Sequence, residues 1–152
     1  MKKKILTAIL LILTLFITGC TTKEPLDNSN FKAILEKRNF IVIDQTNKIF
    51  TENPKIESSY LATTADGRYY LEFYSFDGEI SAQAFYAKKQ VEFASTGSQA
   101  YTEINLGNYS KYTITYHDNY GVISRISNTI IYVNANKEYS DEIKNLLKEL
   151  NY

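Results

Sequence analysis

Between Ala100 and Asn134 the chain repeats one short pattern four times, and that pattern limits the architecture more than any other feature. Strand-like segments at residues 100–106, 109–116, 120–127 and 129–134 are separated by Gly107-Asn108, Asp118-Asn119 and Ser127-Asn128, pairs rich in turn-forming residues. Tyr112, Ile114 and Tyr116 alternate with Thr113 and Thr115, a period of two that places the two sets on opposite sides of a sheet. Parallel neighbours need a crossover of about a dozen residues or more, so junctions this short require antiparallel neighbours.

The segments upstream extend the same sheet. Asp66-Gly67, between strand-like residues 58–65 and 68–76, is a hairpin signal that predicts a type I′ turn. In the second of these strands Tyr69, Leu71, Phe73 and Ser75 share one face, and Tyr70, Glu72, Tyr74 and Phe76 share the other. The β-branched run Phe40-Ile41-Val42-Ile43 reads as a buried strand, with Asn39 as the left-handed residue that ends a preceding helix over 31–38 capped by Asn30. Residues 44–56 read as a loop or a helical turn. Asp77 is placed to cap a long helix over 79–94, whose Ile80, Ala84, Ala87, Val91 and Ala94 form a 4-3-4-3 seam widened by Phe85 and Phe93. A last helix, capped by Ser140, carries Ile143, Leu146, Leu147 and Leu150 on one stripe, and Asn151 repeats the role of Asn39. The expectation is one α+β domain over residues 31–152: a two-layer sandwich with a mostly antiparallel sheet and amphipathic helices covering one face.

The N-terminus has a different character. Lys2-Lys3-Lys4 precedes an apolar run from Ile5 to Ile17, and small residues precede Cys20. That is the layout of a secretory signal, too short for a permanent span, which needs about 20 apolar residues. Ile17-Thr18-Gly19-Cys20 resembles the lipobox of bacterial lipoproteins. The resemblance implies cleavage between Gly19 and Cys20, diacylglycerol and palmitate-type acyl chains on Cys20, and residence at the extracytoplasmic face of the cell membrane. Residues 1–19 are then a removed signal, and 20–30 a lipidated cysteine on a flexible polar tether. The tail is also similar to the C-terminal part of small uncharacterised lipoproteins of Firmicutes, through Arg125-Ile-Ser-Asn-Thr-Ile-Ile-Tyr-Val133 and the helix ending at Tyr152. A bias toward Lys, Asn, Ile and Tyr fits an AT-rich, low-GC Gram-positive coding genome.

Cys20 is the one cysteine, so no intramolecular disulfide forms. Losing Lys2, Lys3 and Lys4 from 17 basic residues against 17 acidic ones leaves a mature charge of about −3. No basic cluster remains to hold nucleic acid or to draw the domain to anionic lipid, so attachment falls to the acyl chains.

Motifs for chemistry are sparse. His117, the one histidine, falls at an expected hairpin tip, which offers neither a catalytic triad nor a zinc site. Asp77, Glu79 and Glu72 are carboxylates without a paired arrangement that sequence can reveal, and the scattered glycines form no phosphate loop. No cofactor, metal or catalytic set is expected. The 13 tyrosines are the remaining signal. They fill strands by propensity, and Tyr70, Tyr74, Tyr112, Tyr116 and Tyr120 are candidates for an outer-face platform that takes an envelope protein or glycan. The expected function is therefore a membrane-anchored, non-catalytic binding module. The alternatives are a small-ligand receptor serving a transporter or sensor, and a carboxylate-dependent envelope hydrolase.

Overall fold

A computed structural model describes residues 22–52, 55–97 and 100–152, with the side chains of 50–52 not described. The signal segment, Gly19 and Cys20 lie outside the described residues. The element order is α1 (Asn28–Lys37), β1 (Phe40–Asp44), α2 (Thr46–Glu52), β2 (Ile56–Thr64), β3 (Tyr70–Phe76), α3 (Glu79–Ala94), β4 (Ala100–Leu106), β5 (Tyr109–Tyr116), β6 (Asn119–Ile126), β7 (Thr129–Asn136), a 3₁₀ turn (Lys137–Tyr139) and α4 (Ser140–Glu149). The strands form one sheet in the order β1-β2-β3-β7-β6-β5-β4. Every neighbouring pair is antiparallel. The expected single α+β sandwich is what the chain forms. Its meander folds back so that β7 docks on β3, which leaves β1 and β4 as the two edges.

Where the sequence reading had all helices on one face, the structure divides them. Leu71 and Phe73 of β3 and Val122 and Ile126 of β6 pack with Phe31 and Leu35 of α1 and Ile143, Leu146 and Leu147 of α4. Tyr74 and Phe76 of β3, Ile123 of β6 and Ile130 of β7 pack with Ala82, Tyr86 and Phe93 of α3, joined by Ile49 of α2. Successive strand residues point to opposite sides, and here both sets are apolar, so both faces need cover.

Local signals decide the ends of the elements. Asp27 caps α1 by accepting the Asn30 amide at 2.8 Å, one turn earlier than the Asn30 cap expected. Asn39 and Asn151 adopt φ of 62° and 66°, the left-handed exits anticipated for both helices. At the β2–β3 turn Gly67 alone takes positive φ, and Thr64 N–H bonds to Tyr69 C=O around a four-residue loop instead of a type I′ pair. Gly78, not Asp77, precedes α3, and Tyr139, not Ser140, precedes α4; neither supplies a side-chain cap.

The seam expected on α3 faces the wrong way. Ile80 is 82% exposed and Val91 68%, while Ala82, Tyr86 and Phe93 form the buried line two residues out of phase. At about 100° per residue, two residues put the aliphatic stripe on the solvent side. The aromatic line wins because Phe85 and Phe93 find ring partners on the sheet: Tyr74 at 5.0 Å from Phe85, and Tyr132 at 5.3 Å from Phe93.

Residues 23–30 are docked, not a free tether. The Asn108 side chain accepts the Lys23 N–H through Oδ1 at 3.1 Å and donates from Nδ2 to the Lys23 carbonyl at 2.7 Å. Lys23 Nζ donates to the Asn151 carbonyl at 2.6 Å and lies 4.0 Å from the centre of the Tyr109 ring. Leu26 then packs on the α1/α4 core, and the α1 cap follows directly.

Candidate functional site

The five tyrosines proposed as a platform do not share a surface. Tyr74 and Tyr112 are buried on the α3 side, the first with its ring against Phe85 and its hydroxyl donating to Glu72. Tyr116 is buried on the same side and donates to Asn134 Oδ1 at 2.9 Å. Tyr120 belongs to the opposite core, beside α4. Tyr70 remains exposed, at 44%. Three of these rings are covered because α3 occupies the face expected to be open.

The sheet opens instead along β4. All seven of its residues are exposed, and β5 is its sole strand neighbour. On the α4 side, β4 and β5 floor a groove of about 450 Å³ bordered by Thr102, Ile104, Lys111, Thr113, Tyr120 and Lys144. On the α3 side, a groove of about 460 Å³ lies between the strand and the helix, walled by Gln90, Val91, Ala94, Tyr101, Glu103 and Tyr112. The outward stripe of α3 thus ends in a groove. Tyr101 stacks on Tyr112 with centroids 5.6 Å apart and forms that groove's aromatic floor.

The first groove has a basic wall. Lys111, half-buried, donates from Nζ to the Tyr152 carbonyl at 3.3 Å, and burial together with Lys23 holds its amine below the usual lysine range. Lys144 is exposed and pairs with Asp141 at 2.8 Å. Tyr120, whose ring centre lies 5.6 Å from Lys144 Nζ, is pushed up to about 12 by burial and then by Asp141, so it stays a neutral donor across the physiological range. The arrangement offers cationic and hydroxyl donors around a mixed floor of Thr102, Ile104 and Thr113.

Edge geometry adds backbone groups. A strand at a sheet edge leaves alternate N–H and C=O groups pointing outward, and Ala100–Leu106 has no Pro and no Lys to discourage pairing. The other edge, β1, has five residues and exposes Ile41 and Ile43 on one side, but α1 covers Phe40 on its other side. Among the described strands, only β4 is open on both faces.

The candidate residues for chemistry stay apart. His117 sits exposed on the β5–β6 turn with φ of 49°, its ring edge-on to Tyr116. Glu79 is taken by Arg125, Glu72 by Tyr74, and Asp77 lies on the β3–α3 link. Among the described residues no three His, Cys, Asp or Glu side chains gather in a metal-binding arrangement. Ser124 faces Lys111 across β5–β6 but is fully buried, with no hydroxyl presented to solvent.

The sequence points to the tyrosines, not to β4, as the binding surface. Its alternation does carry the signal: Tyr101, Glu103 and Asn105 on one face and Thr102, Ile104 and Leu106 on the other, neither set apolar enough to be buried. No protein-family model and no curated protein matches the chain. Among solved structures, a GTP binding regulator from Thermotoga maritima is similar at 15% identity and a TM-score of 0.48, over 82% of this chain and 84% of that one. A likeness of that degree carries no argument about this chain.

Proposed function

We propose that this protein is a lipid-anchored, extracytoplasmic binding module that receives an extended polypeptide segment of an envelope partner along β4. The incoming strand adds to the sheet edge through backbone hydrogen bonds. Its alternate side chains enter the two grooves: apolar or acidic ones toward Ile104, Lys111 and Lys144, and apolar or aromatic ones toward Tyr101 and Val91. The observation that carries this reading is a seven-residue edge strand exposed on both faces and flanked by two grooves. The anchor rests on the Ile17-Thr18-Gly19-Cys20 box, and it fits a chain in which no helix among the described residues is long and apolar enough to cross a membrane.

Photo-crosslinking in intact cells tests it. A photoreactive residue at Thr102 or Ile104 should trap one common partner polypeptide, and the same group at Lys32 on the outer side of α1 should not. Trapping at Lys32 alone, or no polypeptide trapped at β4, overturns strand addition. Loss of adducts on adding a small-molecule extract while the chain stays folded would instead favour the small-ligand receptor, since the first groove has ligand-pocket size.

A further inference from the structure

The docked N-terminus also sets which way the domain faces. Lys23 is held at both its backbone groups by Asn108, whose own carbonyl accepts the Ser127 N–H at 2.8 Å. That contact ties residue 23 to the end of the sheet that carries the β4–β5 and β6–β7 turns. Lys23 is three positions after Cys20, with Thr21 and Thr22 between them, and an extended chain covers at most about 11 Å in three residue steps. A lipid on Cys20 therefore has no long tether to swing on.

Taking Cys20 as lipidated, as in the function proposed above, we infer that this end of the sheet rests on the phospholipid surface with Leu106 in the headgroup region. Leu106 is 63% exposed and is followed by Gly107 at φ 58°, so an apolar side chain projects at the turn that Asn108 joins to Lys23. The partner is the uncharged part of a bilayer surface. The mature domain has a charge of about −3 and draws nothing from anionic lipid. With this end down the strands stand upright. The β5–β6 turn, with His117 and Asp118, points away at the far end of the eight-residue strand β5, ~24 Å higher at 3.4 Å per residue. The β4 edge then faces sideways, along the membrane plane, toward other proteins held in the same bilayer.

Since the lipid would occupy the one native thiol, introduced cysteines can be labelled selectively. The full-length lipidated protein, purified with Leu106→Cys or Asp118→Cys and carrying a fluorophore at that site, is reconstituted in phosphatidylcholine vesicles containing nitroxide-headgroup lipid. Quenching at position 106 should exceed that at 118 by several-fold. In the Leu106→Cys protein the further change Asn108→Ala, with near-UV circular dichroism unchanged, should reduce quenching toward the level at 118. Equal quenching at both sites, or stronger quenching at 118, overturns the orientation. Mass measurement of the N-terminal peptide separates this from the anchor itself: a Cys20 peptide without acyl mass overturns the lipidation and the orientation together, whereas an acylated peptide with equal quenching overturns the orientation alone.

Discussion

Arg125, buried in β6, reaches across to the first turn of α3, where its Nη1 donates to Glu79 Oε1 at 2.9 Å. The guanidinium also donates to the Ser127 carbonyl at 3.1 Å and to Ser110 Oγ at 3.3 Å. The Arg125 side chain is 5% exposed and Glu79 46%, so the pair is a buried cation met by a carboxylate at the solvent boundary. It also fixes where α3 begins on the sheet, a task the helix's missing side-chain cap leaves open. Glu79→Gln keeps a hydrogen-bond acceptor and removes the charge. It should destabilise the fold by about 1–2 kcal/mol in chemical denaturation, less than a fully buried pair because solvent screens one partner. An unchanged unfolding midpoint would show that Ser127 and Ser110 suffice for Arg125.

Gly121 lies directly against the Phe93 ring of α3. A Cβ there would meet Phe93 Cε1 and Cζ at 2.7 Å and Ile114 Cγ2 at 2.8 Å. Gly121→Ala should cost about 1–3 kcal/mol by forcing the Phe93 ring off its stack on Tyr132. Denaturant titration measures the loss, and Phe93→Leu in the same background should recover part of it by vacating the ring's place.

Two buried tyrosine hydroxyls should behave in opposite ways. Tyr86 Oη finds no hydrogen-bond partner among the described residues, whereas Tyr116 Oη donates to Asn134. Removing an unsatisfied buried hydroxyl relieves a desolvation penalty, so Tyr86→Phe should leave stability unchanged or raise it by up to about 1 kcal/mol. Tyr116→Phe strands Asn134 Oδ1 and should lower stability by about 1 kcal/mol. Equal effects in paired denaturation curves would contradict these two environments.

Alkaline unfolding should be abrupt. Burial pushes the Tyr132 and Tyr152 hydroxyls up to about 12, with Glu72 adding to the shift at Tyr132, and Tyr69, Tyr74 and Tyr86 are raised further. In the unfolded chain tyrosine ionises near pH 10. The folded state therefore holds more protons above that value, and the stability these groups confer is complete below pH 10 and lost as pH rises toward 12. Tyrosinate absorbance and far-UV circular dichroism should change together in one transition between pH 10 and 12. Most of the tyrosinate signal appearing before any loss of structure would mean the rings are open to solvent.

How legible each part was in the sequence follows from how local its cause is. The α4 stripe of Ile143, Leu146, Leu147 and Leu150 could be read directly, because a helix with one strongly apolar side has a single way to bury it. Asn39, Asn151 and the four-strand meander were legible for the same reason. The phase of α3 was not: its aliphatic side and its aromatic side are both plausible burial surfaces, and the choice depends on Tyr74 and Tyr132, which are distant in sequence. The exposed tyrosine face failed with it, since strand alternation assigns residues to sides without saying which side a helix will cover. Docking of Lys23 on Asn108 joins residues 85 apart and has no local signature. The β4 edge was drawn correctly as a strand, but its place at the border depends on β7 pairing with β3.

That pairing also imposes a schedule. Leu71 pairs with Val133 and Ser75 with Thr129, so the inner edge of β3 is completed by residues that follow 54 to 62 positions later in the chain. Until those residues reach the folding domain, the three N-terminal strands have an open border that is apolar on both faces. A chain stopped after α3 would carry Leu71, Phe73, Tyr74 and Phe76 on that border with neither β7 nor α4 to close it. The vulnerable moment for self-association thus belongs to the unfinished polypeptide and centres on β3, a strand that is interior in the finished protein.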